Sequence, residues 1–342
     1  MDNPRATRTI LPRDQAGSAQ LIGGTGPITG MCSIEDKFLE IYKQDRTFRV
    51  ETPETIDPDR TNPNAPWVTS VTAEIGSSSK SIARVLIQSR DMLEAAIFEP
   101  ALDKARIIKT LHACKESLVA CELLSRKIIG HIDRIVHEIQ TAGIARDKHG
   151  RGLNPFPQVP ELEPNCASFL VHANRAIKAI CELPYVFLSL ERKHSNFHHL
   201  LRNLEKVLER ESPILLLVRE NANTVEHIIN LRNYHEHPGD TKTIIRNFHV
   251  VPNGAISAPI WKLEGVLQTE DQPINQELIS IVSFLQDLAE AMFLYLAQHG
   301  VSKRIPFYIE QEAEEKIDPS MPIKYRFSID IASLQKAPLK DV

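Results

Sequence analysis

The sequence predicts a mainly α protein: a helical bundle with a small β-hairpin insertion and a short β-prone C-terminal tail. Three observations predict it. Apolar residues recur at helical spacing from about residue 81 to 144, and again over 165–192, 197–210 and 213–237. A β-prone stretch at 241–267, with Pro252-Asn253-Gly254 as its turn, breaks that period. A last apolar-striped helix is expected over 275–299.

Residues 1–30 read as a flexible arm. Gly23-Gly24-Thr25-Gly26-Pro27 lacks the Gly-Lys-Ser/Thr ending of a phosphate loop. Residues 31–78 read as an irregular segment with one short helix at 34–42 and one short strand at 67–73. Gly76 to Ser81 reads as a serine-rich helix cap before Ile82.

Residues 79–300 are expected to form the bundle. Its first long helix carries two heptad series, Leu111, Leu118, Ser125, Ile132, Ile139 and Cys114, Cys121, Ile128, Ile135. They describe a seam against a neighbouring helix or a second subunit. The loop 146–164 holds Gly150, Gly152 and four prolines, and it separates this helix from the next, where Pro184 marks a kink. Ser212-Pro213 opens the fourth helix as a cap with proline in the first turn, and Pro238-Gly239 must end it. The insertion is expected to be a hairpin of strands 243–251 and 255–263. The tail, 301–342, offers strands at 305–310 and 323–329.

Composition narrows the function classes. With 42 % hydrophobic and 25 % charged residues the chain can build a core, and wholesale disorder is excluded. A net charge of -4 advertises no whole-surface field for nucleic acid or membrane. The five cysteines show no Cys-x-x-Cys spacing, which points away from a disulfide or zinc framework and towards a reducing compartment. No signal pattern and no apolar run of membrane length is read, so a cytoplasmic protein without a membrane partner is expected. His194 and His198 lie four apart, as helical zinc ligands do. Ser195 follows His194, where a zinc protease keeps glutamate, and no third ligand is evident, so neither metal nor cofactor is expected.

The residues that could carry chemistry close the fourth helix: Arg232-Asn233-Tyr234-His235-Glu236-His237. Arg232 follows Val225 by seven and Ile228 by four, which sets a cation near the apolar face, where it needs an anionic partner or a wet pocket. His237 precedes Pro238 and is pushed out of helical geometry, so it can fold back beside Arg232. Histidine titrates near neutral pH and can take a proton from a ribose 2'-hydroxyl. Arginine grips phosphate oxygens in bidentate fashion. Glu236 reads as a solvated carboxylate or as a group that orients the adjacent imidazole, and His235 as either an additional base or an exposed side chain.

Arginine, a polar residue, three more residues and histidine at the end of a bundle helix resemble the signature of the HEPN family (higher eukaryotes and prokaryotes nucleotide-binding). The residues that carry the resemblance are Arg232, Asn233 and His237. It implies a HEPN-like bundle from about residue 100 to 300 and a metal-independent endoribonuclease of toxin or phage-defence type. It further implies a homodimer with both motifs facing one cleft. His237 would be the general base, Arg232 the phosphate contact and Asn233 a support for both, with a 2',3'-cyclic phosphate as product. RNA is the implied partner, and a toxin would also need an antitoxin or regulatory protein. Residues 101–151 carry ten Lys or Arg against six Asp or Glu, which is compatible with an RNA backbone contact. The competing expectation is a non-catalytic, dimerising interaction module in a defence or regulatory complex.

Overall fold

The structure, a computed structural model, describes residues 11–15, 20–35, 37–191 and 197–330. It is mixed α/β, which corrects the expectation of a mainly α, HEPN-like bundle. Helix makes up about 48 % and strand about 17 %, with four small sheets. The chain divides into two compact units, Met1–Asp91 with Glu310–Arg326, and Met92–Ile309 with Phe327–Val342.

The correction begins in the first unit. β1 (Gly30–Ile34), β2 (Phe38–Tyr42), β3 (Thr47–Glu51) and β4 (Val68–Ala73) form an antiparallel sheet in sequential order. The helix expected at 34–42 is therefore the end of β1 and all of β2. Five residues, Phe38-Leu39-Glu40-Ile41-Tyr42, fit either state locally, and pairing with β3 decides. Leu39 sits opposite Val50 and Ile41 opposite Phe48. Ile41, Phe48 and Val50 form a buried cluster with Leu21 and Leu39 packed on it. Context of this kind outweighs intrinsic propensity in a short apolar run.

Local chemistry fixes the ends of this unit. Ser79 caps α2 (Lys80–Ile82) by accepting from the Ser81 amide, and the helix continues as a π-helical stretch, Ala83–Gln88, and α3 (Ser89–Ala95). Arg13, from the segment read as a flexible arm, is buried. It donates to Asp57 Oδ2 at 2.6 Å and to the carbonyls of Pro53, Asp57 and Asn62 beside α1 (Pro53–Ile56).

Asp57 collects the Asn62 amide at 2.8 Å, the Thr61 amide at 3.1 Å, the Thr61 hydroxyl at 3.0 Å and the Arg13 guanidinium. These donors, the Asn62 amide first, hold its carboxyl down to about 2 from an ordinary 3.8. The folded carboxyl is the stronger acid, so the unfolded chain takes up the proton first on acidification. The stabilisation is complete above pH 4 and is lost as pH falls from 4 towards 2. In Asp57→Asn this acid-sensitive share should vanish. Urea midpoints of the first unit at pH 5 and pH 2.5 should then differ less in the variant than in the wild type, and an equal difference would refute the assignment.

The second unit holds the long helices. The helical period from residue 81 is interrupted at 96–103, where Pro100 cannot continue a helix. α4 (Lys104–Ala142) starts at Asp103, whose carboxylate accepts the Arg106 amide at 3.0 Å. Leu111, Leu118, Ser125, Ile132, Cys114, Cys121, Ile128 and Ile135 are all buried, with α5 (Leu162–Phe187) and α8 (Ile274–Gly300) packed on α4. The heptad seam is thus used inside this unit. Burial pushes the Cys114 and Cys166 thiols up to about 12, so they are packing groups and not nucleophiles. α6 (Phe197–Leu204) and α7 (Pro213–Glu236) follow, and α7 packs on α5, α6 and α8.

The insertion is more divided than a single hairpin. β5 (Thr241–Arg246) pairs with β8 (Ile260–Gly265), and β9 (Gln272–Pro273) adds to β8. A separate two-residue ladder, β6 (His249–Val250) with β7 (Ile256–Ser257), closes over the expected turn, where Gly254 takes φ 81°. The strand breaks at Asn247, because its side-chain amide bonds both the N–H and the carbonyl of Val159.

α8 is long and apolar enough to cross a membrane by length and composition, with a mean hydropathy of 1.4 over its best window. More than half of that window is buried, and α4, α5 and α7 pack on the helix. That is the pattern of a core helix. Near the chain end, β10 (Phe307–Gln311) and β11 (Tyr325–Ile329) pair with each other.

Candidate functional site

α7 carries the candidate residues on its last turn. Val225, Ile228 and Leu231 are buried and fix the helix face. Arg232, one position on, lies at the border of that face and is only partly exposed. The helix stops where the sequence requires. His237 is its C-cap, with non-helical backbone (φ -131°, ψ 68°), and its amide donates to the Asn233 carbonyl at 2.8 Å. Thr243 of β5 donates its hydroxyl to the Leu231 carbonyl at 2.8 Å. Arg232 bonds neither of these carbonyls among the described residues.

The guanidinium is occupied by side chains of its own helix. Nη2 forms an ion pair with Glu236, and Nη1 donates to Asn233 Oδ1 at 3.0 Å. Nε is buried and without a hydrogen-bond partner among the described residues. His237 is 78 % exposed, and its Nε2 lies 4.0 Å from Glu236 Oε2. The structure therefore groups Arg232, Asn233 and His237 on one turn, with Glu236 as the group that Arg232 and His237 share.

Glu236 is the residue the sequence reading undervalued. Arg232 and Glu236 stand at i and i+4, the spacing at which opposite charges meet on a helix, and that signal was legible. His235 is half-buried. Of the two histidines weighed as metal ligands, His194 lies outside the described residues. His198 faces the carboxylate of Glu226 on α7 at 3.6 Å.

The arrangement is an i,i+4 ion pair on the helix end with an exposed imidazole beside it. An incoming phosphate would meet Arg232 by displacing Glu236, and it would then lie beside an exposed imidazole. Comparison with family models, with curated proteins and with solved structures returned no match for this chain.

Proposed function

We propose that this chain is a metal-independent endoribonuclease of the HEPN kind, acting on RNA as a dimer in a toxin or phage-defence setting. The observation that supports the reading is the single turn that carries a guanidinium, its amide support and an exposed imidazole. His237 takes the proton of a ribose 2'-hydroxyl, and the 2'-oxygen attacks the adjacent phosphorus. Arg232, steadied by Asn233, holds the phosphate oxygens as charge builds on them. The bond to the 5'-oxygen breaks, that oxygen takes a proton from water, and the products are a 2',3'-cyclic phosphate and a 5'-hydroxyl end. The five free cysteines, all buried, fit a reducing compartment such as the cytoplasm. A neutralising antitoxin or regulatory protein belongs to this reading as its expected partner.

The test is cleavage of single-stranded RNA with a chelator present throughout. His237→Ala is expected to lose at least about 100-fold in rate, the ordinary worth of a general base. Glu236→Gln, which releases Arg232, is expected to keep or raise the rate.

One observation favours a second reading. The Arg232 charge is already met by Glu236. If folded wild type and variants all leave RNA intact, this turn is a structural ion pair in an interaction module, and the catalytic roles fall.

A further inference from the structure

We infer that a basic groove between α4 and α5 binds the phosphate backbone of single-stranded nucleic acid without reading its bases. The choice of RNA as the physiological polyanion rests on the function proposed above, whereas the groove itself does not.

The groove has a volume of about 500 Å³ and lies entirely within the second unit. α4 lines it with Arg106, Lys109 and Ala113, and α5 with Arg175, Lys178 and Glu182. On each helix these positions fall within one stripe of i, i+3 and i+7, so the two stripes face each other along an antiparallel pair. Short side chains leave the floor open and the long cations form the walls. Four cations converge there against one carboxylate. Glu182 is partly committed, since Arg106 Nη2 reaches its Oε1 at 3.0 Å and closes one end.

Arg175 and Lys178 are the centre of the inference. Both are exposed, and neither forms an ion pair among the described residues. The field of Arg175 is felt nearby: His172, one turn earlier, is held below its usual range by burial and then by this guanidinium. Seven residues of helix separate the ends of the stripe, about 10 Å of groove. A single phosphate would meet part of that length, and a chain of phosphates meets all of it. No aromatic side chain lines the groove, so there is no platform for base stacking. What remains is sequence-independent backbone contact.

The experiment is binding of a fluorescein-labelled single-stranded RNA 12-mer, followed by anisotropy over a salt series. The proteins are the wild type, Arg175→Glu/Lys178→Glu and the neutral pair Arg175→Gln/Lys178→Gln, all with chelator and in the His237→Ala background as well. Removing two phosphate contacts should lower the log–log salt slope by about 1.4, at about 0.7 per contact on a single strand. The charge-reversed pair should bind at least about 10-fold more weakly at 0.1 M salt, and the neutral pair should show the same loss of slope. Thermal melts check folding, and the neutral pair stands in if charge reversal unfolds the chain. Unchanged affinity and slope overturn the inference, as does a wild type that does not bind RNA. Competition by polyglutamate as effective as that by RNA also overturns it, in favour of acidic protein docking. Groove-dependent binding without cleavage leaves this inference standing and removes the ribonuclease. Cleavage with groove-independent binding does the reverse.

Discussion

Gly76→Ala is expected to cost the first unit more than about 3 kcal/mol, within the range reserved for changes the fold cannot absorb. A Cβ at residue 76 would sit 1.9 Å from the Lys43 carbonyl oxygen, 2.4 Å from the Arg46 amide nitrogen and 2.7 Å from that of Asp45. All three are backbone atoms of the turn between β2 and β3, so no side-chain rotation relieves the overlap. The close approach is held in place from the same segment. The Ser77 amide donates to the Lys43 carbonyl at 2.9 Å and the Ser78 amide to that of Gln44 at 3.0 Å. Moving the backbone away from the clash breaks these bonds. It also strains the pairing of Tyr42 with Thr47, the last rung of the β2–β3 ladder. Hydrogen exchange should show β2 and β3 opening at a much lower free energy in the variant, and a midpoint within 1 kcal/mol of wild type would sink the argument.

The same glycine shows what the sequence could and could not disclose. Gly76 to Ser81 were legible as a helix cap, and Ser79 does cap α2. The need for glycine at 76 was not legible, because it depends on backbone thirty residues earlier in the chain. The long helices were readable because their periods run for many turns. The buried stripes of α4, α7 and α8 fall largely where apolar spacing placed them, although Ile139 of α4 and Ile229 of α7 are only partly buried. Ile279 was counted in the stripe of α8, yet it is 56 % exposed. Of the N-terminal sheet only β4 was read, as the strand at 67–73; β1, β2 and β3 were missed because each is five residues long. A run that short does not distinguish strand from helix until a partner strand settles it. At the end of α7 the Pro238 signal located the helix stop correctly. The sequence reading set His237 beside Arg232 directly and weighed Glu236 only as a neighbour of the imidazole, whereas Glu236 pairs with Arg232 and lies between the two.

Trp261 carries the other large expected effect, and its two substitutions should separate cleanly. Its indole is fully buried on β8, opposite Ile245 of β5 and Gln272 of β9. The ring lies 6.4 Å from that of Phe169 on α5, so it fastens the inserted sheet to the long helices. Truncation to alanine leaves a large void in a packed region and is expected to cost about 3–5 kcal/mol. Phenylalanine keeps most of the apolar contact with Phe169. It also removes the indole N–H, which is buried and has no hydrogen-bond partner among the described residues. An unsatisfied buried donor costs about 1–3 kcal/mol, so its removal offsets part of the lost ring volume. Trp261→Phe should therefore melt close to wild type while Trp261→Ala melts far below it. If Trp261→Phe melts as far below wild type as Trp261→Ala, ring packing on Phe169 does not carry this joint and the argument fails.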